Sequence, residues 1–305
     1  LIVLESTSPI GAIEKICDRL AELRTELTFP NQVGEDADVM LACCPERIMP
    51  GNMLSELKTN SRVIGGMSQA STQAALAIYS KFVSGDLVST DSRTAAATKL
   101  VENSFRDVNI AFANELAATC DNIDLDVWKV IELSNLHPRV KILNPGPGVG
   151  GHCIPIDPWF LIDASKDTTE LMQKARHIND SRPKYVVDRI IATARDGCKE
   201  DGTIACLGLT YKANSDDMRE SPAINVICEL RSIWGGNVIA VDPFIDKAPK
   251  ALIDASVRLV PLEHALAEAE MLVLIVDHEA FRLMDRSDKN KVYFDACGGW
   301  QNIMA

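Results

Sequence analysis

Between Asn144 and Asp157 the chain reads NPGPGVGGHCIPID. A segment this rich in proline and glycine cannot be a helix or a central strand. Its Gly-Gly and X-Pro pairs make a tight loop that lets another molecule approach the backbone closely. A thiol carried on such a loop, Cys153, is placed to meet a ligand, and the carboxylate of Asp157 follows four residues on. Cysteine is also a common small core residue, so residue types alone leave a reactive thiol and a buried one both open. A second group lies upstream. Lys99, Asn103 and Arg106 are spaced i, i+4, i+7 and share one helical face, for which ordinary solvated charge is the alternative.

The elements that must carry these groups follow from pattern. LIVLE at residues 1–5 predicts a buried parallel strand, and STSPIG a turn at its carboxyl end, where α/β sheets place ligands. A helix is predicted over 13–23, with strands at 39–43 and 63–65. From Asp86 to His137 there is neither glycine nor proline. Asp91 or Ser92 can cap a helix there that runs to about Asn122. Its apolar residues Val101, Phe105, Val108, Phe112 and Leu116 form a stripe larger than one small domain buries, which predicts a homodimer built on this helix. Further helices are expected at 126–136, 169–179 and 184–195. The strand–helix alternation then restarts: strands at 203–209, 237–241, 271–276 and 291–294, a polar loop at 211–220, and helices from Ser221-Pro222 and over 263–270. The fold class is α/β, with two doubly wound Rossmann-like domains, the first truncated, joined by a long central helix. The chain starts inside a strand, which reads as a fragment.

Composition narrows the function. The chain has 305 residues, enough for two domains with ample cores. A net charge of −12 argues against nucleic acid or an anionic membrane as the main partner. No apolar run reaches the ~18 residues that a membrane span needs. The nine cysteines are scattered without a CxxC pair, so neither a metal site nor a disulfide framework is indicated, and a cytoplasmic protein with reduced thiols fits. No GxGxxG follows a strand.

Taken together, ESTSPIG (5–11), CPERIMPG (44–51), KLVENSFRDVNIAFANEL (99–116), HPRV (137–140), GPGVGGHCIPIDP (146–158) and GLTYKANSDDMRESPA (208–223) resemble the UDP-glucose/GDP-mannose dehydrogenase family. The resemblance covers essentially the whole chain. It implies a remnant of an NAD-binding domain at 1–88, a central helical and dimerisation domain with the catalytic loop at 89–199, and a UDP-sugar-binding domain at 200–305. It also implies NAD-dependent oxidation of a sugar C6 alcohol to a carboxylate. UDP-N-acetyl-D-mannosamine is the first substrate expected, for surface polysaccharide synthesis. UDP-glucose or another nucleotide sugar is the alternative, and a non-catalytic UDP-sugar-binding module is a third reading. An aldehyde gives no second hydride until a nucleophile adds to it. A thiolate forms a thiohemiacetal, which yields a hydride and becomes a thioester that water hydrolyses.

By resemblance Cys153 is that nucleophile and Lys99 steadies the oxyanion or shuttles a proton. Asn103 and Asp157 orient water and the lysine, and Glu46 assists thioester hydrolysis. Arg47, Ile48, Lys99, Asn103 and Arg106 match sugar contacts. His137 and Arg139 match an arm reaching a neighbouring subunit's nucleotide sugar, Gly150 would lie against the ligand, and Tyr211 and Lys212 match a diphosphate-contacting pair. Thr7 and Arg219 match cofactor contacts; for Arg219 an ion pair with Asp216, Asp217 or Glu220 is the alternative. Two departures stand out. The family's first ~100 residues, with the glycine fingerprint, are not in this sequence, so the chain is expected to bind nucleotide sugar better than NAD and to turn over poorly or not at all. Cys297 also stands where a basic substrate contact is usual.

Overall fold

The computed structural model describes residues 1–48 and 52–301; Met49, Pro50 and Gly51 of the CPERIMPG motif lie outside the described residues. The chain divides into two compact units, one of residues 1–105 and 156–170, the other of 106–155 and 171–305.

The first unit holds a four-stranded sheet in the order β1-β2-β3-β4. Strand β1 (Ile2–Leu4) leads through a loop to α1 (Ala12–Leu23) and the short α2 (Pro30–Val33). Then come β2 (Leu41–Cys43), α3 (Met53–Thr59), β3 (Arg62–Gly66), α4 (Gln69–Tyr79) and β4 (Leu87–Asp91). Alternate residues of β2 face opposite cores, as strand pleating requires. Leu41 and Cys43 pack with Ile13, Cys17 and Phe29, while Ala42 and Cys44 pack with Ile64, Ala75 and Tyr79. Two expectations are corrected. Strand β1 is parallel to β2 but lies at the sheet edge, with Leu1 and Ile2 exposed; an apolar run does not encode how many neighbours a strand has. And β2 pairs antiparallel with β3, because direction is a pairing choice that a strand–helix rhythm leaves undefined.

Helix α5 (Ser92–Asn122) passes from the first unit into the second. Asp91 caps it, its carboxylate accepting from the Thr94 N–H at 2.9 Å. Helix α6 (Val127–Ser134) is capped by Asp126, which accepts from the Trp128 N–H. The proline–glycine loop follows, and α7 (Asp157–Ala164) starts at its end with Pro158 in the first turn. The two helices expected over 169–195 are one, α8 (Glu170–Gly197), with Pro183 inside it. An internal proline costs a helix roughly 3 kcal/mol. Here α8 offsets it by burying Val186, Val187, Ile190 and Ala194 in the second unit's core.

That core is built on a wholly parallel sheet in the order β7-β6-β5-β8-β9. The elements are β5 (Ile204–Leu207), α9 (Pro222–Ile233), β6 (Val238–Val241), α10 (Lys250–Asp254), β7 (Arg258–Leu259), α11 (Leu262–Glu268), β8 (Met271–Leu274), α12 (Glu279–Arg282) and β9 (Val292–Asp295). Strands β5, β6 and β8 are buried on both faces, which explains their unbroken apolar runs. One face packs on α8 and α9, the other on α11, Phe281 and Trp300. Strand order reverses beside β5, so the loops after β5 and β8 flank the crevice where such sheets take ligands.

Candidate active site

In the first unit the candidate residues gather on β2, β3, α5 and α7. Pro45 ends β2, and Glu46 follows at the strand's carboxyl end. Its carboxylate accepts from the N–H groups of Arg47 (2.5 Å) and Ile48 (2.7 Å) and from Arg62 Nη1 at 3.1 Å on each oxygen. Arg62 is fully buried in β3. Burial would raise the Glu46 pKa, but the Arg62 hydrogen bonds, the two backbone donors and the Arg62 charge hold it below the ordinary range. Glu46 is thus an ionised anchor of the 46–48 turn with its lone pairs largely engaged. Arg47 pairs with Glu102 of α5.

Lys99 is half-buried one turn before Asn103 on α5 and makes no ion pair among the described residues. Asn103 Nδ2 donates to Asp157 Oδ2 at 2.5 Å, and Asp157 is 3% exposed at the start of α7. The structure therefore joins Asn103 to Asp157 by a direct hydrogen bond.

Thr7 lies half-buried on the loop after β1. Gly11 adopts φ 89° and leads into α1 with no side-chain cap. Glu14 sits in the first turn of α1, paired with Arg93 at 3.1 Å. A carboxylate there disfavours a phosphate, whereas a threonine hydroxyl suits an amide or ribose. The side chains here thus suit an uncharged portion of a dinucleotide better than its phosphates, and Thr7 is the residue that could hold it. No glycine-rich pyrophosphate turn occurs among the described residues.

In the second unit a buried polar network fixes the proline–glycine loop. Asn114 of α5 accepts from the Gly146 N–H (3.0 Å) and donates to Asn179 (3.0 Å). Asn179 donates to Asp107 (2.8 Å), which also accepts from Arg176 (2.6 Å). Arg182 donates to the carbonyls of Gly146 (2.9 Å) and Asn114 (3.1 Å). Further along the loop, side chains are excluded. A Cβ on Gly150 would lie 2.7 Å from the Glu220 carbonyl oxygen, Pro222 and Tyr211, and Gly151, at φ 80°, rests on the Tyr211 ring. The Gly151 N–H donates to the Arg219 carbonyl at 3.1 Å.

Cys153 follows on this pinned backbone, half-buried and not in a disulfide. Arg219 and Tyr211 are among its ionisable neighbours. Arg219 Nε and Nη2 clasp the Asp217 carboxylate at 2.6–3.1 Å. Those hydrogen bonds chiefly raise the Arg219 pKa, with the Cys153 charge a small addition. The ion-pair alternative for Arg219 is thus realised, with Asp217. Lys212 and Arg106 are exposed. His137 and Arg139 lie exposed on the turn after α6, His137 Nδ1 accepting from the Arg139 N–H at 3.3 Å. Cys297 has its N–H on Asp295 and a thiol pushed well up by burial; it supplies no cation.

Sequence reasoning passed over Arg62, Asn114, Asn179 and Arg182. A signal existed for Asn114: Asn103, Asp107 and Asn114 are polar at spacings of four and seven within the long helix. Among the described residues no helix is long and apolar enough to cross a membrane.

Comparison with known proteins agrees along the whole chain. Residues 1–83 match the NAD binding domain of the UDP-glucose/GDP-mannose dehydrogenase family, 93–181 its central domain and 205–302 its UDP binding domain. The chain is 49% identical over 301 residues to an NDP-N-acetyl-D-galactosaminuronic acid dehydrogenase of Ralstonia solanacearum, spanning 98% of this chain and 70% of that protein. It is 48% identical to the UDP-N-acetyl-D-mannosamine dehydrogenase of Escherichia coli K12, spanning 99% and 73%. The solved UDP-D-ManNAc dehydrogenase of Pyrococcus horikoshii superposes with a TM-score of 0.83 at 34% identity, over 98% of this chain and 73% of that one. The chain therefore belongs to the UDP-glucose/GDP-mannose dehydrogenase family of NAD-dependent nucleotide-sugar dehydrogenases.

Proposed function

We propose that the chain oxidises a UDP-N-acetylhexosamine, UDP-N-acetyl-D-mannosamine first, at C6 to the uronate, with Cys153 as nucleophile. The uronate would serve surface polysaccharide synthesis. The observation that carries the reading is a half-buried thiol on a backbone pinned by Gly146 and Gly151; the thiolate is the nucleophilic form of such a group.

The alcohol first loses a proton and a hydride to become an aldehyde. The Cys153 thiolate adds to the aldehyde carbon, and the resulting oxyanion takes a proton or is steadied by the Lys99 ammonium. Loss of a second hydride leaves a thioester. Water, oriented by Asn103 and Asp157, attacks it and releases the carboxylate and the thiol. NAD, when bound, accepts hydride from carbon, and Thr7 would hold its uncharged end. Because Glu46 is clamped by four hydrogen bonds, its role in this scheme is to hold the 46–48 turn for substrate contact by Arg47 and Ile48.

The substrate reading rests on relatives of nearly equal identity, so a binding panel decides it. Calorimetry with UDP-N-acetylmannosamine, UDP-N-acetylgalactosamine and UDP-glucose should show the first binding most tightly; preference for UDP-glucose removes the assignment. Mass spectrometry after mixing with the substrate aldehyde should find a Cys153 adduct that vanishes in Cys153→Ser. Binding without any adduct would leave a nucleotide-sugar-binding module. We also place a second copy of the chain on α5, where Val101, Phe105 and Phe112 are more than half exposed. His137 and Arg139 would then face the partner's substrate.

A further inference from the structure

We infer that Asp242 and His278 form a buried anchor that positions the 209–220 loop against the cysteine loop, making His278 a positioning residue for nucleotide-sugar binding. The inference deepens the functional reading above and rests on it.

Asp242 directly follows β6, the second strand of its sheet in chain order, where a dinucleotide-binding domain uses a carboxylate to hold a ribose. Here that carboxylate is spent inside the protein. Its Oδ2 accepts from the Leu209 N–H at 2.7 Å and lies 3.2 Å from His278 Nε2; its Oδ1 accepts from the Phe244 N–H at 2.8 Å. Both side chains are fully buried.

His278 follows β8 on the other side of β5. Its Nδ1 accepts from the Asn214 N–H at 3.0 Å, so that nitrogen carries no proton and Nε2–H is the donor toward Asp242. Thr210 Oγ1 lies 3.3 Å from the same Nε2 and donates to the Lys212 carbonyl at 2.8 Å. Asn214, at φ 54°, also accepts at Oδ1 from the Glu279 N–H at 3.0 Å. The rings of Phe244 and Phe281 pack on the imidazole at 5.1 and 5.6 Å between centroids.

The Asp242–His278 pair thus ties both ends of a short stretch, Leu209 to the carboxylate and Asn214 to the imidazole, that carries Tyr211 and Lys212. The loop reaches the cysteine loop by two contacts: the Tyr211 ring under Gly151, and the Arg219 carbonyl accepting from the Gly151 N–H. Within the loop the Tyr211 N–H donates to the Asp217 carbonyl at 3.1 Å and Ala213 and Met218 pack on the core, while Lys212 is exposed. The Asp242–His278 pair adds the fixed points at Leu209 and Asn214. Loss of the imidazole takes one donor from the buried Asp242 carboxylate, which keeps the Leu209 and Phe244 N–H groups, and removes the acceptor of the Asn214 N–H, which loosens the segment locally.

The test compares wild type with His278→Leu, His278→Asn and Asn214→Gly. The readouts are amide hydrogen exchange over 209–219 and at 150–151, UDP affinity by calorimetry, and iodoacetamide labelling of Cys153 followed by peptide mass spectrometry. His278→Leu should speed exchange in both segments and weaken UDP binding, each about tenfold, and should change the Cys153 labelling rate. His278→Asn, which keeps an acceptor for the Asn214 N–H, should recover part of each loss. Unchanged exchange and unchanged UDP affinity in His278→Leu overturn the proposal. Should that variant not fold, Asn214→Gly suits the positive φ and removes only the Glu279 clamp; it should still speed exchange over 209–219, and no change there is equally fatal. If wild type itself does not bind UDP, the functional reading fails, while exchange and labelling still decide whether the anchor positions the loop.

Discussion

Exchanging Glu46 for glutamine keeps the side chain's shape and removes one charge. What it strands is the guanidinium of Arg62, which is 0% exposed and already has Nε without a partner, whereas Glu46 is 38% exposed. Removing one member of a buried ion pair costs about 3–5 kcal/mol, because the other charge stays behind unpaired. The reverse change, Arg62→Met, leaves the carboxylate where water reaches it and where the Arg47 and Ile48 N–H groups still bind it. Solvent screening then cuts the cost to about 1–2 kcal/mol. Glu46→Gln should therefore be the more destabilising by roughly 2 kcal/mol. The double variant should be more stable than Glu46→Gln alone, since no stranded charge remains. Urea unfolding of the three variants measures this directly. The pH dependence has a definite sign. The Glu46 pKa is lower in the folded chain than in the unfolded one. Its stabilisation is thus fully present above the unfolded value of about 4.3 and is lost as pH falls through the folded value. Wild type should lose stability on acidification in that range, and Glu46→Gln should lack that part of the slope. If Arg62→Met proves as costly as Glu46→Gln, the reasoning from burial is wrong.

Gly150→Ala must push a Cβ into backbone and side-chain atoms 2.7 Å away; it should cost about 1–3 kcal/mol in thermal or urea unfolding and weaken UDP binding. Asn114→Leu removes the acceptor of the Gly146 N–H and the partner of Asn179, so about 1–3 kcal/mol of destabilisation is expected, with faster exchange at the Gly146 amide than at the sheet strands. Phe105→Asp on the exposed face of α5 should shift light scattering from dimer to monomer without lowering the melting temperature; a wild-type monomer would refute the assembly. Lys99→Met should abolish turnover while leaving UDP-sugar binding within about tenfold, and a normal turnover rate in that variant would remove Lys99 from the chemistry.

Much of the architecture was legible because it depends on local chemistry. The run without glycine or proline capped by Asp91 became α5, the apolar runs of the second sheet became β5, β6 and β8, and Ser221-Pro222 opened α9. The failures share a cause. The antiparallel β2–β3 pair, the exposed edge at β1 and the unbroken helix through Pro183 each turn on neighbours distant in sequence.

The site divides in the same way. Residue type and spacing brought forward the thiol on its glycine loop, the lysine–asparagine face of α5 and the carboxylate of Asp157 as candidates, but left a buried thiol and a solvated face open as alternatives, and the roles assigned to these residues rested on the family resemblance. Which carboxylate stays open to act and which is consumed as a clamp was decided only in three dimensions. Glu46 is engaged by Arg62, and Asp242 by Leu209 and His278. A hydrogen bond needs atoms within about 3 Å of each other, and partners sixteen to thirty-six positions apart leave no periodic trace along the chain.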